Sequence, residues 1–470
     1  MKRNIFQTLF PLLFFLAVPF CSQAYGFEVD GLRYTKMTNS KVEVSGHASK
    51  NISGSLVIPA TVAYDSVEYS VTSIGFEAFF GCSGLTSVAI PNSVSYIAYE
   101  AFYGCSGLTS VTIPNSVTTI SDYAFSGCSG LTSVTIPNSV TSIGANPFSA
   151  CTNLETIKVE SGNTNYDSRE DCNAIIETSN NSLISGCKNT VIPTSVTSIS
   201  YSAFSGCSGL TSVTIPNSVT SIKGYAFNFC SGITSVTIPN TVTWIGTNPF
   251  AWCANLETIK VESGNTNYDS REDCNAIIET SNNSLISGCK NTAIPNSVTS
   301  ILLNAFSGCS GLTSITVPNS VKRISAEAFS GCSGLKSVAI GSSIAYIQQN
   351  AFYECKAIEA VQVLATTAPF PSSNMFSDDT YSQAALYIPK GCCNAYIQFA
   401  DWAQFSNIVE SSFIKGDVDL DEVVNSSDAT ALVNHLLNVK SVPHFSADTN
   451  ADTQVNTSDV ANIISIILSE

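Results

Sequence analysis

Residues 105–125 read Cys-Ser-Gly-Leu-Thr-Ser-Val-Thr-Ile-Pro-Asn-Ser-Val-Thr-Thr-Ile-Ser-Asp-Tyr-Ala-Phe. Leu108, Val111 and Ile113 follow a Leu-x-x-Val-x-Ile spacing, and the last two alternate as a strand does. Pro114 ends that strand, because it has no N–H to give a ladder. Val117 and Ile120 begin a second short extended piece, and Ala124-Phe125 turns the chain back through Gly127. One such unit cannot bury its apolar side alone. Stacked units bury it against each other and give a continuous core along a rod.

The stretch is one of ten. Aligned on the Phe of Ala-Phe or Pro-Phe, the units fall at Phe79, Phe102, Phe125, Phe148, Phe204, Phe227, Phe250, Phe306, Phe329 and Phe352. The steps are 23 residues, except for two of 56, which are one unit plus a 33-residue insert. The repeated Asn after Pro (Asn92, Asn115, Asn138, Asn217, Asn240, Asn319) is expected to cap backbone groups in the turn. The inserts, 161–190 and 263–292, each carry two apolar runs around an Asn-Asn turn and predict a β-hairpin that projects from the stack. Asn153 to Thr190 is identical to Asn255 to Thr292, which reads as a recent internal duplication.

The unit resembles the BspA-like family of leucine-rich repeats over about residues 70 to 365. The resemblance implies a mainly β fold, a parallel-sheet solenoid of surface or secreted proteins tied to adhesion and protein binding. It divides the chain into a β-rich N-terminal cap at 25–70, the solenoid at 71–365 and a degenerate terminal repeat at 366–410.

Composition narrows the function classes. Charged residues are 12% of the 470, about half the ~25% usual in globular domains. The formal net charge is −16, which opposes nucleic acid and anionic membrane surfaces. Three histidines leave little for a histidine metal site or a catalytic triad. Glu170-Asp171 and Glu272-Asp273 are the carboxylate pairs nearest to an acid–base arrangement. They stand beside Arg169 and Arg271 in repeated inserts and read as solvated charge, so no enzyme is expected.

Lys2-Arg3, an apolar run from Ile5 to Phe20 and Ser22-Gln23-Ala24 read as a signal peptide over 1–24, with a lipoprotein signal at Cys21 as the alternative. No other apolar run approaches the ~18 residues of a membrane span. The expected location is secreted or cell-surface.

Export permits disulfides. Ten cysteines, from Cys82 to Cys355, keep the same position in each unit and read as a ladder of buried small side chains. Cys172 with Cys187, and Cys274 with Cys289, flank the hairpin arms and are the possible disulfides. No Cys-x-x-Cys occurs, which argues against zinc.

Outward strand positions such as Thr109, Ser110 and Thr112 make an uncharged, hydroxyl-rich face. One position of the second extended piece varies and carries Tyr96, Trp244, Arg323 and Tyr346, residue types enriched at interface hot spots. These are candidate partner-binding residues. The opposing reading is isolated surface side chains packed on their neighbours.

The composition changes at residue 416. The last 55 residues hold nine acids against one lysine. Asp417, Asp419, Asp421, Asn425 and Asp428 occupy loop positions 1, 3, 5, 9 and 12. Asp448, Asn450, Asp452, Asn456 and Asp459 repeat the pattern 31 residues later. These are ligand positions for a hard cation, with the carbonyls of Val423 and Gln454 at position 7, so two Ca2+ sites are expected. Each loop runs into an apolar-periodic helix, through Ala429, Leu432, Val433, Leu436 and Leu437, and through Val460, Ile463, Ile464, Ile467 and Leu468.

The tandem loops of 416–470 resemble the type I dockerin family, which implies calcium-dependent docking onto a cohesin domain. Glu422 and Thr453 depart from the glycine usual at position 6. In the family, positions 10 and 11 contact the partner; here these are Ser426-Ser427 and Thr457-Ser458. The combined expectation is a non-enzymatic binding protein, with a protein ligand on the solenoid and a cohesin-like partner for the tail. The alternative is an accessory glycan-binding subunit of a polysaccharide-degrading assembly.

Overall fold

The computed structural model describes residues 26–49, 51–414, 416–419, 423–437, 447, 449 and 455–469. The signal-peptide reading of 1–24 falls outside the described residues.

Most 23-residue units add one strand to each of two walls of parallel pairing; residues 211–215 form no strand, and the walls are broken into separate sheets along the stack. Val88 of Gly84–Ala89 pairs with Val111 of Ser110–Thr112, and Val134 of Ser133–Ile136 pairs with Ile157 of Thr156–Val159. On the other side, Ile97, Ile120 and Ile143 pair in sequence within two-residue strands. The register step equals the sequence repeat, so like residues meet like. Val and Ile point inward and are buried, while Thr109, Ser110 and Thr112 face out.

The third side is the Ala-Phe turn. Here Phe79, Phe102, Phe125 and Phe148 stack with ring centroids 5.2, 5.2 and 5.6 Å apart. The backbone ladders with them: Phe79 N–H donates to Ala101 O and Phe102 N–H to Ala124 O, both at 2.8 Å. The cysteines fill the adjoining position. Cys105 Sγ donates to Phe79 O at 3.2 Å, Cys128 to Phe102 O at 3.3 Å and Cys355 to Phe329 O at 3.0 Å. Burial pushes the thiols of Cys105 and Cys151 up to about 12.

Several of the turns after Pro are closed by the hydroxyl residue and not by the Asn, whereas Ser218 and Ser320 leave their hydroxyls unbonded. Ser116 Oγ donates to Val94 O at 2.6 Å and Ser139 Oγ to Val117 O at 2.7 Å, one turn back. Among the six asparagines, the Asn319 side chain accepts across turns, from Ser342 N–H at 2.8 Å. A hydroxyl one atom from Cβ reaches the neighbouring carbonyl, where the longer amide extends past it.

The inserts are hairpins, but they do not project. Ala174–Glu177 pairs antiparallel with Ser182–Gly186, which in turn pairs parallel with Ser198–Ile199, so the hairpin lies in the wall of the solenoid. Ala174, Ile175, Ile176 and Leu183 are all fully buried. Ile175 joins the core on the N-terminal side, and Ala174 and Ile176 join the next core. A strand apolar on both faces needs cover on both faces. The second insert repeats this, with Ile277 on one side and Ala276 and Ile278 on the other. The Phe stack is interrupted at both inserts. There Gly186 and Gly288 lie against the rings of Phe204 and Phe306, and a Cβ would come within 2.2 and 2.1 Å of ring carbon.

The cysteines of the inserts are free thiols. Cys187 Sγ faces Glu155 O at 3.2 Å and Asn173 O at 3.3 Å, while Cys172 Sγ faces Ala174 O at 3.9 Å. Cys289 and Cys274 repeat these contacts. The two arms carry their thiols to different carbonyls, and the pairs Cys172–Cys187 and Cys274–Cys289 are not bonded in this structure.

At the N-terminal end, Gly26–Val29, Leu32–Lys36 and Lys41–His47 form an antiparallel sheet that continues in parallel into Val67–Ile74. Lys36 Nζ sits 5.0 to 5.7 Å from the rings of Phe27, Tyr64 and Tyr69. At the other end Ala360–Val363, Ala385–Pro389 and Asn407–Ser411 extend the long-strand sheet. Trp402 closes the core there, fully buried, with Nε1 donating to Pro369 O at 2.9 Å.

Candidate functional site

Two places carry chemistry beyond packing. The first is the acidic C-terminal module. Val418 is buried in a small core with Leu432, Ala447 and Ile463, which pins the start of the first loop against the helices Ser426–Leu436 and Thr457–Ser469. Asn425 is the N-cap of the first helix: its Oδ1 accepts from Ser427 N–H at 2.8 Å. Asp428 in the first turn accepts from Asp419 N–H at 3.0 Å, from Asn425 N–H at 2.7 Å and from Val418 N–H. The second loop closes in the same way. Asp459 accepts from Thr449 N–H at 2.8 Å and from Asn456 N–H at 2.9 Å, and Asn456 Oδ1 accepts from Ser458 N–H at 2.8 Å.

This folding brings oxygens of Asp417, Asp419 and Asp428 within 4.8 Å of one another. Asp417 and Asp428 are 1% and 0% exposed. Carboxylates gathered at that spacing and removed from water repel unless a cation offsets them. An all-oxygen set of this kind fits a hard divalent ion. Val423, whose carbonyl is the expected position-7 donor, has an exposed side chain. Asp421, Asp448, Asn450, Asp452 and Gln454 lie outside the described residues.

Ser426, Ser427, Thr457 and Ser458 are all exposed at the helix starts. The helix periodicity overstates the core. Leu432 and Ile463 are fully buried, whereas Val433, Leu437, Ile464 and Leu468 are exposed. Two short helices packed together have too little facing surface to cover both apolar flanks.

The second place is the short-strand face. Tyr96, Trp244, Arg323 and Tyr346 all point outward there. Ser221 pairs with Trp244, and Arg323 pairs with Tyr346, which pairs with Phe370. Tyr96 lies apart, beside Thr119. Trp244 and Arg323 belong to separate sheets, yet both line one crevice of about 550 Å³ together with Glu279, Leu303 and Gln348. Glu279 and Gln348 were not foreseen. Leu302-Leu303 was the available signal, since it stands where the first copy has Ser200-Tyr201.

Glu170 and Asp171 are exposed and left-handed, at φ 59° and 48°. Arg169 turns from them to Asp167, at 2.6 Å, and to Asn181, at 2.9 Å.

A stacked repeat solenoid carrying a tandem loop–helix module is a binding and anchoring architecture. The chain belongs to the BspA type leucine rich repeat region family, whose model matches six copies over residues 63–173, 180–282 and 282–394. Residues 415–468 match the dockerin type I domain, a type that docks onto cohesin partners and generally binds calcium. Among solved structures, the chain is similar to a leucine rich cell surface protein from Faecalibacterium prausnitzii. Identity is 27%, covering 83% of this chain and 96% of that one, with a TM-score of 0.48. It is also similar to a leucine-rich repeat protein from Bacteroides ovatus, at 26% identity, covering 72% and 95%, with a TM-score of 0.38. No curated protein matches. Among the described residues no helix is long and apolar enough to cross a membrane.

Proposed function

We propose that this chain is a non-enzymatic binding protein, exported by a signal peptide at 1–24 and held at the cell surface or in a secreted assembly by its tail. In this reading 25–70 and 366–410 cap the solenoid of 71–365, and 416–470 is the anchor. Asp417, Asp419, Asp421, Asn425 and Asp428, with the Val423 carbonyl, hold one Ca2+. Asp448, Asn450, Asp452, Asn456 and Asp459, with the Gln454 carbonyl, hold a second. Calcium supplies the positive charge that lets these acids share a loop. Asp428 and Asp459 organise the loop backbone, and the exposed Val433, Leu437, Ile464 and Leu468 offer a cohesin-type partner an apolar surface beside Ser426-Ser427 and Thr457-Ser458. The solenoid presents a protein ligand with its recognition surface, which makes the whole an adhesin.

The observation that carries the anchoring is the convergence of Asp417, Asp419 and Asp428. The test is calorimetry of residues 25–470 with calcium, followed by capture on cohesin domains from the producing organism, with calcium and with chelator. Two equivalents of calcium and chelator-sensitive capture are expected, with one equivalent lost in Asp428→Ala and one in Asp459→Ala. Calcium-independent capture, or no calcium binding, would overturn the reading.

A second reading, an accessory glycan-binding subunit, is favoured by the Trp244 crevice. Retention on insoluble polysaccharide separates it from protein adhesion.

A further inference from the structure

The crevice at the second insert follows from how the insert enters the stack. On the Phe side the turns before and after it touch directly. Asn248 Nδ2 donates to Asn304 O at 2.7 Å, and Trp252 N–H donates to Ser307 O at 2.7 Å. On the short-strand side the hairpin Ala276–Glu279 and Ser284–Gly288 stands between Trp244–Ile245 and Ser300–Ile301. The turns are joined along one edge and held apart along the other, and the crevice opens in that angle. The Trp244 indole, 49% exposed, lies beside Gly246, where a Cβ would approach it to 3.0 Å. Glycine there first admits the backbone of the preceding turn, since a Cβ would meet Gly224 N at 2.4 Å, and it also leaves the ring room.

The polar groups of the crevice are held in place but not used up. Glu279 Oε2 accepts from Asn282 Nδ2 at 2.8 Å, which leaves Oε1 as an acceptor. Gln348 Oε1 accepts from Ala326 N–H at 3.0 Å, which leaves its amide N–H groups as donors. Arg323 is exposed and makes no ion pair among the described residues. Donors and acceptors fixed before the ligand arrives lower the cost of binding. The charges of Glu279 and Arg323 balance, the surrounding Thr247, Asn248 and Ser325 are uncharged, and the chain as a whole is −16. The charge of the chain repels a polyanion and draws a polycation to the molecule as a whole, but the crevice itself, with one carboxylate against one guanidinium, gives a polycation no excess of counter-charge. The complement is a neutral ligand with many hydroxyls and an apolar ring face for the indole. From Arg323 the face continues in register to Tyr346 and Phe370, both more than half exposed, with ring centroids 6.4 Å apart. That stripe fits a polymer rather than a single sugar.

We propose that the crevice between Trp244 and Arg323 is a binding site for a neutral polysaccharide chain, which extends toward Tyr346 and Phe370. The proposal rests on the glycan-binding reading above and gives it a site.

The experiment uses residues 25–470 in chelator, so that anchoring is switched off. Sedimentation with insoluble cellulose, xylan and mannan is followed by titration of the matching soluble hexaose, read by tryptophan fluorescence. Retention on at least one polymer is expected. Trp244→Ala and Arg323→Ala weaken it about tenfold or more, whereas Phe80→Ala, an exposed aromatic outside the crevice, leaves it unchanged. Melting curves check that the variants are folded. No retention on any of these polymers, or equal retention by Trp244→Ala, overturns the proposal. So does a protein ligand that is lost with Trp244→Ala while the hexaoses fail to bind. Calcium-dependent cohesin capture is measured on the same variants, so failure of one reading leaves the other readable.

Discussion

The two inserts are one peptide set in two surroundings. Asn153 to Thr190 and Asn255 to Thr292 are identical, and they fold identically, down to the Arg169–Asp167 and Arg271–Asp269 pairs at 2.6 and 2.8 Å. Their neighbours differ. Ser142, Ser200-Tyr201 and Ser221 beside the first copy stand where Trp244, Leu302-Leu303 and Arg323 stand beside the second. The insert therefore supplies geometry, and the flanking turns supply chemistry. Binding character can change at a flank without touching the element that opens the crevice.

This comparison can be broken by alkali. Burial pushes Cys172 and Cys274 up to about 11, and Cys105, Cys151 and Cys253 up to about 12, from an ordinary thiol value near 9. A raised folded-state value stabilises fully below the unfolded pKa and is lost as pH rises through the folded one. Stability should hold to about pH 9 and fall between there and about 12, with many thiols acting together. Circular dichroism against pH checks this. If the two inserts are equivalent, the loss comes in one transition; separate transitions for the two copies would refute equivalence.

Next in size is the ring that each insert glycine meets. Phe204→Ala and Phe306→Ala each remove a fully buried ring that stacks on the following turn at 4.8 Å. Each should cost about 4 kcal/mol, with matching values within error, by denaturant titration. A clear difference between the two would show that the flanks reach into the core.

The smallest effect sharpens the comparison most. Installing Ser142→Trp, Tyr201→Leu, Ser221→Arg and Lys223→Ser together should give the first insert a second binding crevice that lacks only the Gln348 amide, where Gly246 stands. Stoichiometry for the hexaose then rises from one to two, at an affinity within about tenfold of the original site. A stoichiometry that stays at one would mean that more than these side chains distinguishes the copies.

Much of this was legible in the residues. The 23-residue register, the buried cysteines and the outward hydroxyls follow from a period that every unit repeats. The polar Asn180-Asn181 turn suggests a projecting hairpin, but Ala174-Ile175-Ile176 is a run with no polar face to give to solvent, and it is this run that draws the insert into the wall. The crevice could not be read at all. It depends on Asn248 meeting Asn304, a contact 56 residues apart that no local pattern records. In the tail the loop spacing was readable, whereas the division of the helix faces between core and surface was set by how little the partner helix covers.

Because each insert strand faces one core with Ile175 or Ile277 and the next with its neighbours, it acts as a partition with matching surfaces on both sides. The partition and the turns up to its copy span 102 residues, and one copy's exit matches the other's entrance. Such a cassette can be gained or lost by unequal recombination without any new packing problem at the joint. The distance from anchor to tip is then a heritable length, adjustable one cassette at a time, while each new partition brings a fresh pair of flanks for selection to decorate.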